Sequence, residues 1–338
     1  KDNYNNYGGE LRWVKKYKIA QKNILSVTGM RYYRGSTERN QGLGDAGSGP
    51  SFNYLDPDDL ERSSFLFPST NIAAFTEHVV YLSPRLKVVP GLRYEFINTE
   101  AAGFYRNQIR DLAGNIIFDQ KVDEQRNAER GLFLGGFGVS YALSGKLELY
   151  GSFSQNYRAV NFNDFRVVNP SFRVDTALQD ESGSTFEIGL RGTLFKGVTL
   201  DLSAFRLNYD NRIGAVLQSD TITFQVYRLR TNVSQSINQG VEALVQFKLE
   251  EMLGKKQSKW SNILFINGSF VNAKYTNSQE PAFEGKRVEW VPRFIMRVGL
   301  QTKLRNWSAG LLYSYTSNQF SDATNTAFSA TAIEGLIP

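Results

Sequence analysis

The amino-acid sequence predicts an all-β protein, built as an antiparallel meander of about twelve strands. Three observations predict this fold: the composition, the spacing of apolar residues, and the lengths of the connections. Phe, Tyr and Trp make up 13% of the 338 residues and the chain holds 29 glycines, a composition that favours strands and tight turns. Apolar and polar residues alternate with period two, which places one set of side chains on each face of a sheet.

The alternation is clearest in residues 293–301. Phe294, Met296, Val298 and Leu300 occupy every second position there and would share one face of a strand. Similar patterns elsewhere give twelve strands of about ten residues or more. They cover residues 7–17, 23–35, 72–82, 86–98, 132–142, 146–157, 185–194, 198–210, 240–248, 261–275, 293–301 and 307–316.

Two positions interrupt the pattern. Pro90 lies inside the strand 86–98, so we expect a bulge or a lost ladder hydrogen bond there. In the strand from 198, Leu202 lies on one face but Phe205 and Leu207 lie on the other. This change of parity predicts a bulge near Ala204, or an extension of the strand above a membrane.

The connections alternate between short and long. Short ones lie at 83–85, 143–145, 195–197 and 303–305, with a longer turn on the same side at 249–259. Long ones lie at about 36–71, 99–131, 158–183 and 211–235. A soluble meander has no reason to place every long loop at one end, whereas an outer-membrane barrel has short periplasmic turns and long extracellular loops. The connections therefore predict a transmembrane β-barrel, whose strands are long enough for a tilted bilayer crossing.

Aromatic residues are predicted to form two girdles, as a bilayer-embedded barrel requires. Those beside short turns are Tyr17, Tyr81, Tyr141, Phe195, Trp260 and Trp307, and those near the long loops are Tyr94, Phe96, Tyr209, Trp290 and Tyr315. The alternative is a soluble β-rich domain that binds carbohydrate or protein. A propeller would show self-similar blades, and the sequence shows no repeated motif.

The composition excludes several kinds of chemistry. The chain has no cysteine, so it can hold no disulfide and no thiolate metal site. A catalytic triad or a histidine metal site would depend on His78 alone, which we expect to be structural. The net charge of 39 − 33 = +6 is spread over both signs and makes no case for nucleic acid. We therefore expect no enzyme, no cofactor and no metal site.

Four segments, in this order along the chain, resemble TonB-dependent outer-membrane receptors. They are residues 82–95 (LSPRLKVVPGLRYE), 147–158 (LELYGSFSQNYR) with the following 161–164, 181–192 (ESGSTFEIGLRG) leading into 200–205, and 238–242 (NQGVE). The loop 167–175 (VVNPSFRVD) resembles the ferric-dicitrate transport subgroup. The matching part of the chain covers about residues 82–248.

The resemblance implies a 22-stranded barrel with an N-terminal plug, in the outer membrane of a Gram-negative bacterium. Residues 1–338 would then be a partial barrel domain, from about the eighth to the nineteenth strand, with the plug and about three C-terminal strands outside it. The chain opens at Lys1 without Met or a signal peptide, which also leads us to expect a fragment. The expected partners are outer-membrane lipid and the TonB complex, the latter reached through the missing N-terminal part.

The function implied is active uptake of a ferric chelate, either ferric citrate or a related siderophore. A porin and a lidded importer of nutrients remain alternatives. An anionic chelate needs guanidinium groups and hydrogen-bond donors. These are concentrated in the loops 158–183 and 211–235, whereas the loop 36–71 is acidic. The expected ligand-binding residues are Arg158, Asn161, Asn163, Arg166, Arg173, Arg228 and Arg230.

A second set of arginines is expected to have a structural role. Arg93, Arg191, Arg293 and Arg297 lie on the predicted lumen face. We expect them to pair with Glu95, Glu187 or carboxylates of the plug.

Overall fold

The computed structural model describes residues 1–44, 53–161, 164–165, 172–219, 226–255, 258–278, 281–321, 323–325 and 336–337. The strands are β1 (Asp2–Ile19), β2 (Lys22–Gln41), β3 (Ser63–Tyr81), β4 (Leu86–Arg110), β5 (Ile116–Ser144), β6 (Leu147–Arg158), β7 (Phe172–Val174), β8 (Glu181–Phe195), β9 (Val198–Ser219), β10 (Val226–Lys248), β11 (Trp260–Ser278), β12 (Phe294–Leu304), β13 (Trp307–Thr316), β14 (Gln319–Phe320) and β15 (Leu336–Ile337). A single-turn helix, α1 (Leu249–Met252), follows β10. No helix among these residues is long and apolar enough to cross a membrane.

Twelve strands, β1–β6 and β8–β13, form one curved sheet, which we call the wall. Each pairs antiparallel with its neighbours in chain order, so the predicted twelve-stranded meander is confirmed. β1 and β13 are the two ends of the wall and do not pair with each other.

The wall strands extend well beyond the predicted bounds at the long-loop end, which we call the mouth. β4 and β5 pair from Leu86↔Tyr141 to Gln108↔Asp119 and beyond, and the turn between them is residues 111–115. The long loop expected at 99–131 is therefore wrong, and most of 211–235 is likewise paired strand. In these extensions polar side chains occupy both faces, so the period-two apolar signal is lost although the ladder continues.

One pairing departs from the meander. The three residues of β7 pair with β10 in parallel, with Arg228 opposite Phe172 and Arg230 opposite Val174. The expectation that all strand pairs are antiparallel is therefore wrong for the pair of β7 and β10. The described part of β11 pairs with β10 only from Ser234 onward, and β7 takes the edge of β10 beyond it.

The register keeps one apolar face continuous. Met296 pairs with Gly268 and Tyr315, and Val298 pairs with Ile266 and Tyr313. Phe294, Met296, Val298 and Leu300 thus share a face with apolar residues on both neighbouring strands. Two aromatics belong to the other face: Tyr81 pairs with Lys87, and Tyr209 donates its hydroxyl to Glu181 at 2.6 Å. Their assignment to the girdles is therefore corrected.

The two irregular positions behave differently from each other. Pro90 pairs with Phe137 in unbroken register, but the β3–β4 ladder is interrupted between Gly91 and Val88. Pro90 therefore interrupts pairing without forming a bulge, because it has no N–H to donate. Ala204 pairs with Ile188 and Val241 without a register shift, so a bulge there was wrong. The alternative, a strand extended beyond the membrane, agrees with β9 reaching Ser219.

Buried apolar side chains lie where two connecting segments fold onto the wall at the mouth. The first cluster comprises Phe65, Phe67, Ala101, Val160, Phe165 and Val174. The second comprises Ala273, Tyr275 and Val288, where the segment after β11 folds back. These clusters hold the connecting segments in place and so position the candidate site.

Candidate functional site

The described residues between β6 and β8, namely 159–161, 164–165 and 172–180, fold across the mouth, and we call them the mouth segment. On one side it is fixed to β5 by Arg130, whose Nε lies 2.6 Å from Asp180 Oδ2. Arg130 also donates from Nη2 to the carbonyl of Val160 at 3.0 Å. The other oxygen of Asp180 accepts the amide of Val160 at 2.7 Å. One carboxylate therefore fixes both ends of the mouth segment to the wall.

On the other side the mouth segment is fixed to β10 through Asp175. Thr231 Oγ1 donates to Asp175 Oδ2 at 2.6 Å, and the amide of Asp175 donates to the carbonyl of Arg230 at 2.9 Å. The hydroxyl of Thr231 and the amide of Ala177 together hold the pKa of Asp175 below its usual value. Arg126 of β5 donates to the carbonyls of Asp175 and Val174. The mouth segment thus bridges β5 and β10.

Arg158, the first predicted ligand-binding residue, is held by two acids. Its Nη2 donates to both oxygens of Asp164, at 2.9 and 3.0 Å, and its Nη1 lies 3.0 Å from Glu181 Oε2. The side chains of Asp164 and Glu181 are 7% and 6% exposed, whereas that of Arg158 is 40% exposed. Asn161 starts the turn that carries Asp164, and its own amide donates to Asp164 Oδ2 at 2.9 Å.

Three other predicted residues lie on β7 and β10, but not on one face. Arg228 and Arg230 share a face with Phe172 and Val174, whereas Arg173 pairs with Leu229 and lies on the other face. The Arg173 guanidinium lies 4.1 Å from the centre of the Tyr227 ring, and that of Arg230 lies 4.8 Å from the centre of the Phe172 ring. Arg228 is exposed, and its side chain has no hydrogen bond, ion pair or ring contact with any residue that the structure describes. Asn163 and Arg166 lie outside the described residues.

A cavity of about 550 Å³ lies between β5 and the mouth segment. Arg126 and Arg130 line it, together with Phe165, Asp175 and Asp180. Neither arginine was predicted as a site residue, because 99–131 was expected to be a loop. Their spacing was the available signal, since residues four apart in a strand share a face.

The lumen arginines only partly follow the expectation. Arg93 pairs with Glu95 as expected, but Arg191 lies 3.5 Å from Glu148 instead of Glu187. Arg293 and Arg297 have no ion-pair partner within the described ranges. A second cavity, of about 630 Å³, lies at the short-turn end and is lined by Lys87, Glu148, Arg191 and Asp201. It is at the opposite end of the wall from the predicted ligand-binding residues.

The described residues contain no group of three or more His, Asp or Glu side chains arranged to hold a metal ion. His78 Nε2 lies 3.0 Å from Thr76 Oγ1, and its Nδ1 lies 3.4 Å from the Tyr17 hydroxyl. What the mouth offers instead is a set of guanidinium groups. Some are paired with acids of the mouth segment, and others, such as those of Arg62 and Arg228, are exposed. Such an arrangement can bind an anion.

Comparison with known proteins shows which family this sheet belongs to. Residues 1–334 match the model of the TonB dependent receptor-like β-barrel family. The chain belongs to this family. The family resemblance and the all-β antiparallel fold predicted from the sequence are therefore confirmed. Members of the family are outer-membrane proteins of Gram-negative bacteria and are transporters, so the expected location and the expectation that the chain is not an enzyme are confirmed as well.

Solved structures show the same fold at low sequence identity. The ferric citrate transporter FecA in its unliganded form is 19% identical, with a TM-score of 0.72, and the match covers 100% of this chain and 45% of that one. The ferric-catecholate import receptor Fiu from E. coli K12 is 13% identical, with a TM-score of 0.67 and coverage of 95% and 45%. The ferric yersiniabactin uptake receptor FyuA from Yersinia pestis is 16% identical, with a TM-score of 0.66 and coverage of 96% and 44%. The chain spans less than half the length of each.

Proposed function

We propose that this chain is part of the barrel of an outer-membrane receptor for active, TonB-dependent uptake of a ferric chelate. Ferric citrate, or a related carboxylate siderophore, is the proposed substrate. The observation that carries the proposal is the position of Arg228 and Arg230, which share one face of β10 at the mouth of a barrel of this family, with Arg173 on the other face of the same strand pair. An anionic complex arriving from outside meets this end of the wall first.

The chemistry of the mouth supports an anionic ligand. Guanidinium groups form bidentate hydrogen bonds with carboxylates, which a ferric citrate complex presents in number. Arg228 can donate its hydrogen bonds to a ligand without breaking any contact among the described residues. Arg158 and Asn161, in contrast, already support Asp164, so their proposed contribution to binding combines ligand contact with support of the mouth segment.

Engagement of the TonB complex is proposed through the N-terminal part of the intact receptor. No residue of this chain is assigned to that contact. Arg166 and Asn163 remain proposed ligand residues on the strength of the sequence alone.

Replacement of Arg228 tests the ligand site directly. The Arg228→Gln variant of the full-length receptor should bind ferric citrate about tenfold more weakly or worse, because a charge-assisted hydrogen bond contributes on the order of 1.5–3 kcal/mol. The matched control is Arg62→Gln, which removes an exposed arginine just before β3 at the same end of the wall. Affinity is measured by titration at low and high salt. Equal affinities for the two variants would remove Arg228 from the site.

Uptake in cells tests the mode of transport. Iron-starved cells should take up iron supplied as ferric citrate only when both the receptor and TonB are present. Equal uptake in cells without TonB would indicate a passive porin. Growth dependence on a sugar or peptide, with no iron effect, would indicate a nutrient importer.

A further inference from the structure

The short-turn end of the wall carries a basic residue at every connection. Six connections join wall strands at this end, and each contains or directly adjoins at least one Lys or Arg. The residues are Lys22, Arg85, Lys146, Lys196, Lys255 and Lys259, and Arg305. Among the described residues of these connections the only acids are Glu250 and Glu251, both in α1. We call this set of residues the basic rim.

Most of the rim charges are free. The side chains of Arg85, Lys146, Lys196, Lys259 and Arg305 are exposed and make no hydrogen bond, ion pair or ring contact with the residues that the structure describes. The two acids are already engaged by other groups: Glu251 lies 3.3 Å from Lys248, and Glu250 accepts two hydrogen bonds from Asn262 at 2.6 and 2.8 Å. At the mouth, Arg126, Arg130 and Arg158 are each paired with a carboxylate, whereas Arg228 is exposed.

The rim lies at the level of lipid headgroups. In barrels of this type the short turns are periplasmic, and aromatic residues mark the membrane interface. Tyr141, Trp260 and Trp307 lie within a few residues of the short turns and are exposed. The rim cations are thus beside the periplasmic leaflet, and attraction between Lys or Arg and an anionic leaflet acts within about a Debye length, roughly 10 Å.

A further cation faces the lipid directly above the rim. Residues that pair directly in neighbouring strands lie on the same face of the sheet. A row of such pairs runs from Tyr17 of β1 to Phe294 of β12, so Tyr17 lies on the same outward face as Phe294. The row runs through Ile24, Val80, Val88, Val139, Gly151, Ile188, Ala204, Val241 and Phe270. Lys15 is two residues from Tyr17 and shares its face, whereas Lys16 lies on the opposite face.

The residues directly across the ladder from Lys15 are also polar. Lys15 pairs with Ser26, and Ser26 pairs with His78. His78 in turn contacts Thr76 at 3.0 Å and Tyr17 at 3.4 Å. Polar groups that face hydrocarbon are costly unless they have partners. In this structure the Lys15 ammonium lies 5.5 Å from the centre of the Trp13 ring on the same face, and its flexible side chain is long enough to turn toward the headgroups instead.

We propose that the basic rim and Lys15 bind anionic phospholipid headgroups of the periplasmic leaflet. The arrangement favours a lipid surface over an acidic protein, because the charges are distributed over all six connections of the wall, although Arg85 and Lys146 also line the cavity at the short-turn end. A leaflet surrounds the whole barrel, whereas a protein would contact only a few adjacent turns. The proposal rests on the orientation of the barrel in the membrane and is independent of the ligand bound at the mouth.

Lipid binding to the full-length receptor tests the proposal. The receptor in a neutral detergent is titrated with phosphatidylglycerol or phosphatidylcholine, and bound lipid is counted by native mass spectrometry. Wild-type receptor should prefer phosphatidylglycerol, and salt should weaken that preference. The variant Arg85→Gln, Lys146→Gln, Lys196→Gln should lose about tenfold or more in phosphatidylglycerol affinity. A control with equal charge loss at the mouth end, Arg34→Gln, Arg62→Gln, Lys121→Gln, should keep it.

Lys15 offers a sharper comparison. Lys15→Gln should lower phosphatidylglycerol affinity and Lys16→Gln should not, although both remove one charge from adjacent positions.

Equal affinity for the two lipids, or equal losses in the rim and mouth variants, would overturn the proposal. Unchanged lipid binding in a folded rim variant that no longer binds an acidic peptide would instead assign the rim to a protein partner. Chelate binding should be normal in the rim variant, so failure of the proposed uptake function would be seen separately.

Discussion

Arg158 and Arg228 show how one residue type serves two purposes at the mouth. Both were expected to bind ligand, but Arg158 is held between Asp164 and Glu181 while Arg228 is exposed. Asp164 is six residues from Arg158 in sequence and Glu181 is 23 residues away. The sequence could predict an arginine-rich mouth. It could not predict which arginine meets an acid, because that depends on how the mouth segment folds.

Replacement of Arg158 should loosen the mouth segment. Arg158→Gln leaves two nearly buried carboxylates without their cation, at an expected cost of roughly 1–2 kcal/mol, less than for a fully buried pair because Arg158 is partly exposed. Hydrogen exchange of residues 172–180 measures this as faster local opening. Arg158→Lys, which keeps the charge, is the control. Weaker chelate binding with unchanged exchange would show instead that Arg158 only contacts the ligand.

At the scale of the element, the docking of the mouth segment depends on pH through Asp175. Its pKa is lowered in the folded protein, so the ionised group stabilises docking above the ordinary aspartate pKa of about 4. That contribution is lost as the pH falls through the lowered pKa. The protection factor of residues 172–180, which is the exchange rate of an unstructured peptide divided by that of these residues at the same pH, should therefore be constant from neutral pH to about pH 4 and should decrease below that pH.

Thr231 provides the control for this pH dependence. Thr231→Val removes the main donor to Asp175, so docking should be weaker at neutral pH and should change less in acid. Thr231→Ser keeps a hydroxyl and should behave as wild type. Identical acid profiles for the Val and Ser variants would show that another group controls the docking.

The lengths of the strands show where sequence patterns fail. All twelve wall strands and their order could be predicted, because inside the membrane one face is apolar and the other polar. Above the membrane both faces of a strand contact water. The extensions of β4, β5, β9 and β10 there show no alternation of apolar and polar residues, although they are still strands. β7 was missed for a related reason: three residues are too few to show a period, and their partner strand is more than 50 residues away.

At the scale of the whole molecule, the continuous outward face predicts how substitutions affect insertion. Met296→Arg places a charge against lipid and should cost roughly 2–4 kcal/mol if it lies near the midplane. Gln301→Arg lies on the opposite face and should be tolerated. Assembly of the full-length receptor into membranes, followed by the gel mobility of the folded barrel, measures the difference. Similar behaviour of the two variants would invalidate the assignment of faces.

The hairpin of β4 and β5 gives the molecule a far greater reach than the bilayer requires. At about 3.4 Å per residue, the 25 residues of β4 extend to roughly 85 Å, or about 65 Å in height at a tilt near 40°. An apolar band about 25 Å tall leaves on the order of 40 Å beyond it. The turn at 111–115 would then stand well clear of the bilayer on its outer side. It is the natural place for an inserted epitope, and the part of the receptor that antibodies or phages would encounter first.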